Sequence, residues 1–300
     1  MSLQEHIERL RKYLAELRLG EMRFADVARA ARSGGERALA RLGGLEVGAL
    51  VTELRVALAF YTRLPFPAPA VDGAALARAS WCSPLIGALI GALAGLAYWI
   101  STRLNLPQLV AATVAVAASM LLTGCLHEDG LADTADGFGG GTTRERILEI
   151  MRDGRIGAFG ACALLVSFVL RVGAIADLPS AGLVAWALVG AHAAARGGLP
   201  LVMRALPPAR SDGLSAQAGA PSPARAWTAA LIGFAILWIA LGTKAAFIAL
   251  AFTLVGIAVV ALVSRRKIGG QTGDVLGTVE QVGECVVLIT AAARFWQYAR

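Results

Sequence analysis

An all-α fold that crosses a membrane several times is the class this sequence predicts, and three observations predict it. The 300 residues are 57% hydrophobic and only 16% charged, and the mean hydropathy is positive, which is more apolar surface than one water-soluble core can cover. The apolar residues gather in runs close to the roughly 20 residues that a helix needs to cross a hydrocarbon layer of about 30 Å. The basic residues between those runs fall in alternate loops, as they do when one side faces the cytoplasm.

The first fifty residues are polar and basic. Ile7, Leu10, Leu14 and Leu17 recur at helical spacing among Arg9, Arg11, Lys12 and Arg18, which predicts an amphipathic helix, and a second short helix is expected over 21–32 before Ser33-Gly34-Gly35. Residues 1–50 are read as a cytoplasmic helical arm that lies on an anionic leaflet or pairs with another subunit, and residues 51–300 as the membrane-embedded domain. No secretory signal is expected, because residues 1–30 lack an uninterrupted apolar core. Residues 50–64 are apolar but carry Glu53, Arg55 and Arg63 and end in Leu64-Pro65-Phe66-Pro67, which stops a helix. They predict an interfacial helix, with Arg63 either a snorkelling anchor or a contact for an anionic ligand.

Seven spans are expected, at about 81–101, 107–125, 158–176, 181–203, 226–242, 245–264 and 278–296. Arg144, Arg146, Arg152 and Arg155 follow the second, Arg204, Arg210 and Arg225 the fourth, and Arg265, Arg266 and Lys267 the sixth, whereas the intervening loops offer only Arg103 and Lys244. The N-terminus and the three basic loops are therefore placed in the cytoplasm and the C-terminus outside. The net charge of +7 is read as topology, with no nucleic-acid partner. Cys82, Cys125, Cys162 and Cys285 show no C-x-x-C pairing and are expected as small hydrophobes, outside any zinc site or disulfide framework.

The chemistry concentrates in His127 to Gly141, H-E-D-G-L-A-D-T-A-D-G-F-G-G-G. In a helix, Asp129, Asp133 and Asp136 at i, i+4 and i+7 share a face, and three like charges there call for a cation. Mg2+ takes carboxylate oxygens and shares its remaining positions with substrate phosphates, so phosphoryl transfer leads. A solvated acidic loop is the bland alternative, opposed by the third Asp in phase, the preceding His and the four glycines between Gly137 and Gly141.

A short helix follows from Thr142, ending at Arg152-Asp153-Gly154-Arg155. Arg152 and Arg155 are candidate phosphate contacts, with Asp153 orienting an arginine. Inside the spans, Arg171 and Arg196 are costly; Arg196, four residues after His192, is a candidate ligand contact, and Arg171 is expected in a structural ion pair. The stretch Gly269-Gly270-Gln271-Thr272-Gly273-Asp274 leads into a helix bearing Glu280 and Glu284. There Asp274 and Glu280 could complete a metal site or supply a base.

Four ordered stretches carry a resemblance: F-Y-T-R-L-P-F-P at 60–67, H-E-D-G-L-A-D-T-A-D-G-F at 127–138, M-R-D-G-R-I-G-A-F-G at 151–160 and G-G-Q-T-G-D-V-L-G at 269–277. From about Leu54 to the last span the chain resembles the cobalamin synthase family, the adenosylcobinamide-GDP ribazoletransferases. Residues 1–50 extend beyond it, and Glu128 stands where the motif is expected to hold an uncharged residue. The resemblance implies a Mg2+-dependent, multi-pass enzyme of the bacterial inner membrane with its active site toward the cytoplasm. Its substrates would be adenosylcobinamide-GDP and α-ribazole or α-ribazole 5'-phosphate, and it would release GMP. A homo-oligomer and other enzymes of cobalamin synthesis are its expected partners besides the bilayer.

Under that reading Asp129, Asp133, Asp136 and Asp274 hold the metal, and His127 or Glu280 activates a hydroxyl acceptor. Arg63, Arg152, Arg155 and Arg196 would touch phosphate. Two rival classes are a CDP-alcohol phosphatidyltransferase and a cation or solute transporter. The D-G-x2-A-R-x8-G-x3-D-x3-D signature of the first is not met, since no D-x3-D follows the glycines. No internal repeat supports the second.

Overall fold

The computed structural model describes residues 47–66 and 72–293. The predicted helices over 7–17 and 21–32 lie outside the described residues. The chain divides at Val51–Thr52, so only the opening of the first described helix belongs to the N-terminal unit.

Among the described residues everything regular is helical. The helices are α1 (Val47–Tyr61), α2 (Gly73–Ala79), α3 (Ser83–Arg103), α4 (Gln108–Thr123), α5 (Leu126–Gly140) and α6 (Arg144–Ile150). They continue with α7 (Ala158–Ala176), α8 (Ala181–Ala205), α9 (Leu214–Ala218), α10 (Pro223–Ile268) and α11 (Gly273–Ala292). Four helical stretches are long and apolar enough to cross a membrane: Gly73–Arg103, Ala158–Ala176, Pro223–Ile268 and Gly273–Ala292. A fifth is added if α4 and α5, bent by 90° at their junction, count as one broken span. Helix α8, which carries His192 and Arg196, is not among them.

The expected helices at 226–242 and 245–264 are the two limbs of α10, which breaks at Gly242 (φ 75°, ψ 169°). Phe234 and Phe247 flank that break with ring centroids 5.3 Å apart, whereas thirteen residues of straight helix span about 20 Å. The chain therefore doubles back, and both limbs reach the same level of α8: Gly197 meets Ala229 and Gly233, while Gly198 meets Ile257. Helix α11 begins at Gly273, one turn earlier than its apolar run suggests, with Thr272 capping it by accepting from the Val275 amide.

Helices α3 and α8 pack antiparallel at backbone distance. Gly87, Gly91 and Gly95 of α3 lie against His192, Leu188 and Ala185 of α8, where a Cβ would strike main chain; small residues spaced by four permit this approach between apolar helices. The main core joins both helices to α4, α7 and α11 through Tyr98, Ala112, Ile175, Leu188 and Leu288. Large hydrophobics such as Leu121, Leu165, Val169, Ile239 and Val255 stay exposed on the outside, as surfaces facing lipid do. At the polar end, Gln271 and the 207–209 segment exchange backbone hydrogen bonds of 2.8 and 2.7 Å. Arg144 ties the same loops together by donating to the carbonyls of Ile268 and Ala209.

Candidate active site

Gly124 and Cys125, both left-handed (φ 64° and 56°), turn the chain from α4 into α5. Helix α5 begins at once, with Glu128 and Asp129 in its first turn, where the helix dipole favours acids. It stays helical through Gly140, beyond the last Asp of the motif.

The three in-phase aspartates meet different surroundings. Asp129 is exposed and Asp133 half-buried. Asp136 is buried, and its two carboxylate oxygens accept the backbone N–H groups of Gly157 (2.6 Å) and Gly160 (2.9 Å). It thus satisfies amides at the start of α7, which otherwise lack partners, and a Cβ at either glycine would collide with its carboxylate.

Asp274 comes to the cluster because α11 crosses α5 closely: Gly130 packs on the Asp274 backbone, and the Thr278 hydroxyl donates to the Gly130 carbonyl at 3.2 Å. The Thr272 hydroxyl donates to Asp274 at 3.1 Å, and Arg210 lies 3.7 Å from the same oxygen. The charges acting on Asp133 are those of Asp129, Asp274, Asp136 and Arg210. The fold therefore gathers all four predicted carboxylates, one of them occupied by backbone amides, with Arg210 as their cation.

Behind this cluster lies a buried ionic network that the sequence announced only as isolated charges. Arg171 of α7 reaches Glu128 at 3.0 Å and Glu284 at 3.3 Å, the structural pairing expected of it. The acid at position 128 is thus the countercharge of an arginine. Arg196 of α8 sits 2.5 Å from Glu280, 3.0 Å from His192 Nδ1 and 3.3 Å from His127 Nδ1; His192 in turn lies 3.1 Å from Glu284. Gln281 donates to Glu280 at 3.1 Å and accepts from Ser167 at 3.0 Å.

His192, Glu280 and Glu284 are the one group among the described residues whose three ligand atoms lie within 4.8 Å of one another. The arginines already neutralise it. Glu280, the expected base, and Arg196, the expected phosphate contact, are 0% and 1% exposed. Their positions have a plain reason: a charge this deep needs a partner more than it needs a substrate.

His127 is different. Its ring stacks on Tyr61 (centroids 6.0 Å, planes at 16°) and forms part of a cleft wall shared with Asp129 and Asp274. Its Nδ1 faces both the Arg196 guanidinium at 3.3 Å and the Glu280 carboxylate at 3.7 Å; toward the guanidinium, which only donates, it can serve only as an acceptor.

None of Arg63, Arg152 and Arg155 lines that cleft. Arg63 lies over Gly124 and bonds the Leu122 carbonyl through its own N–H at 2.7 Å. Arg152 pairs with Asp212 at 2.7 Å. Arg155, its side chain 84% exposed, grips Asp153 with two hydrogen bonds of 2.9 and 2.7 Å, which hold the Asp153 carboxyl below its ordinary range. Sequence reasoning passed over Arg210, Tyr61 and Gln281. For the network the visible signal was H-x3-R in α8 opposite E-x3-E in α11, pairs that each project from one helix face.

The sequence model of the family described as Cobalamin-5-phosphate synthase matches residues 53–292. A protein of Bradyrhizobium diazoefficiens named adenosylcobinamide-GDP ribazoletransferase is 51% identical over 246 residues, 81% of this chain and 94% of that one. Proteins of the same name from Mesorhizobium japonicum and Azorhizobium caulinodans are 44% and 46% identical, over 81% and 80% of this chain and 93% and 95% of theirs. No solved structure matches. With α1 to α11 almost wholly inside the matched region and its acidic and glycine-rich stretches converging on one cleft, the chain belongs to the cobalamin-5-phosphate synthase family.

Proposed function

We propose that this protein joins adenosylcobinamide-GDP to α-ribazole, or to α-ribazole 5'-phosphate, releasing GMP and closing the nucleotide loop of cobalamin. The observation that carries this reading is the family match from residue 53 to residue 292, which takes in the acidic cluster, the cleft and the buried network together.

The donor chemistry of the acidic cluster suits a hard divalent cation held by one or two carboxylates and waters, although Asp129, Asp133 and Asp274 do not bring three oxygens within 4.8 Å of one another. Asp129 and Asp274 line one cleft, Asp133 is their charged neighbour, and Arg210 is the cation beside Asp274. Mg2+ suits such a set because it keeps waters and binds phosphate oxygens beside carboxylates. Asp129, Asp133 and Asp274 would hold it, directly or through its waters, with Asp136 fixing α5 against α7. When bound, the ion would neutralise charge on the diphosphate.

The protein's own part is positioning and charge. Arg210 offers a guanidinium beside Asp274 for phosphate oxygens, and His127 contributes an imidazole held between Tyr61 and Arg196. A 5'-phosphate acceptor is already anionic and needs no base.

Seven crossings are proposed: α3, α4 with α5, α7, α8, the two limbs of α10, and α11, in the inner membrane of a bacterium with the cleft toward the cytoplasm. The alternating basic loops support that orientation. A turnover assay on the purified protein in lipid, with both substrates and with or without Mg2+, tests the reaction. GMP and a cobalamin product appearing only with the metal are expected; no product from folded protein would remove the proposal.

A further inference from the structure

The cleft beside the acidic cluster has a cavity volume of about 160 Å3, room for a small ring system rather than a whole dinucleotide, and its lining is lopsided. Its walls are mostly apolar: Phe60, Leu76, Leu199, Met203, Leu214 and Leu276. Tyr61 and His127 add two stacked rings. One edge carries the carboxylates of Asp129 and Asp274, and among the described residues no lysine or arginine lines it. Helices α2 and α9 form part of the enclosure, packed together where Gly73 meets Gln217 and Ala218.

Such a cavity selects by chemistry. A diphosphate placed among the apolar walls would find no lysine or arginine there, and its proposed cation belongs at the acidic edge. Guanine would bring several donors and acceptors to walls with few polar partners, and burying them unpaired costs about 1–3 kcal/mol each. A flat ring system with few hydrogen-bonding atoms meets neither obstacle and gains from apolar and aromatic contact. Met203 adapts to its outline.

We infer that this cleft is the site for the acceptor nucleoside: the benzimidazole of α-ribazole lies among Phe60, Leu199, Met203 and Leu214, and its ribose end points to Asp129 and Asp274. The assignment rests on the ribazoletransferase reading and adds to it where the acceptor sits. The anionic donor is left to the charged cluster beyond these walls, where Arg210 and Asp133 lie near Asp274.

The test uses the full chain in lipid nanodiscs and equilibrium dialysis with α-ribazole and, separately, GMP. Ser215→Trp and Met203→Trp fill the cleft from α9 and α8. Each is expected to weaken α-ribazole binding at least tenfold while GMP affinity stays within twofold. A second measurement does not depend on the bulky variants folding. Ser215→Cys should be shielded from a maleimide by α-ribazole or by 5,6-dimethylbenzimidazole alone, and not by GMP.

Unchanged α-ribazole affinity in a folded Trp variant, or shielding by GMP instead, overturns the assignment. Turnover with an unaltered KM for α-ribazole in both Trp variants sinks the cleft assignment and leaves the transferase intact. Variant-sensitive α-ribazole binding without any turnover does the reverse.

Discussion

Asp133 and Asp136 stand three residues apart in one motif, yet their partners give them different work. Asp136 spends both oxygens on the amides of Gly157 and Gly160. Replacing it by Ala strands the buried Gly160 amide at about 1–3 kcal/mol and frees the exposed Gly157 amide, so Asp136→Ala is expected to lower the thermal midpoint and to lose activity largely in step with folded protein. Asp133 has neighbouring charges instead of amides. Asp133→Asn is expected to cut Mg2+-dependent turnover on the order of 100-fold with an unchanged midpoint, and full activity would take it out of the site. Arg171 is a third case. Arg171→Met leaves Glu128 and Glu284 buried without their cation, a loss of about 3–5 kcal/mol, and adding Glu128→Gln should restore part of the midpoint; no recovery would mean that the pair is not what holds α5 to α7.

Among the elements, α10 shows how one residue decides topology. Its sequence reads as two apolar runs parted near Gly242, and Gly242 adopts φ 75° and ψ 169°, a region that residues other than glycine avoid at a cost of roughly 1–3 kcal/mol. Nothing crowds the position, so a methyl group meets backbone strain alone. Gly242→Ala is therefore expected to lower the thermal midpoint while leaving the affinity for substrates unchanged; a higher midpoint would show that the turn is not fixed at Gly242. Helices α3 and α8 work at the other extreme. Their glycine-lined contact brings Ser83 within 3.1 Å of the Arg196 carbonyl, seating the arginine that faces Glu280 and His127.

For the whole molecule, the separation of charge sets the prediction. The loops around Arg152, Arg210 and Lys267 are joined to one another through Asp212, Ala209, Ile268 and Phe138, so they belong to one face. In a cysteine-free background, Ser211→Cys should react with an impermeant maleimide only from the cytoplasmic side. Asn105→Cys, in the turn between α3 and α4, should react only from the opposite side. Labelling of both from the same side would break the proposed topology.

The helical class, the approximate position of every long helix and the acidic and glycine-rich stretches were legible in the sequence, because each depends on local runs of apolar residues and on spacing along one helix. So was the family, since four ordered stretches carried it. The turn at Gly242 was legible only as a gap between two apolar runs, because its cause is one dihedral angle. What the tertiary structure alone decided was the assignment of charges to partners. Asp136, Arg196 and Glu280 looked available for chemistry until α7, α8 and α11 closed around them, while Arg210, a loop residue by sequence, came to lie beside Asp274. Pairing across 21 to 114 positions leaves no periodicity to read. It is fixed by which helices pack, and inside an apolar bundle the cost of an unpaired charge lets that packing choose the pairs.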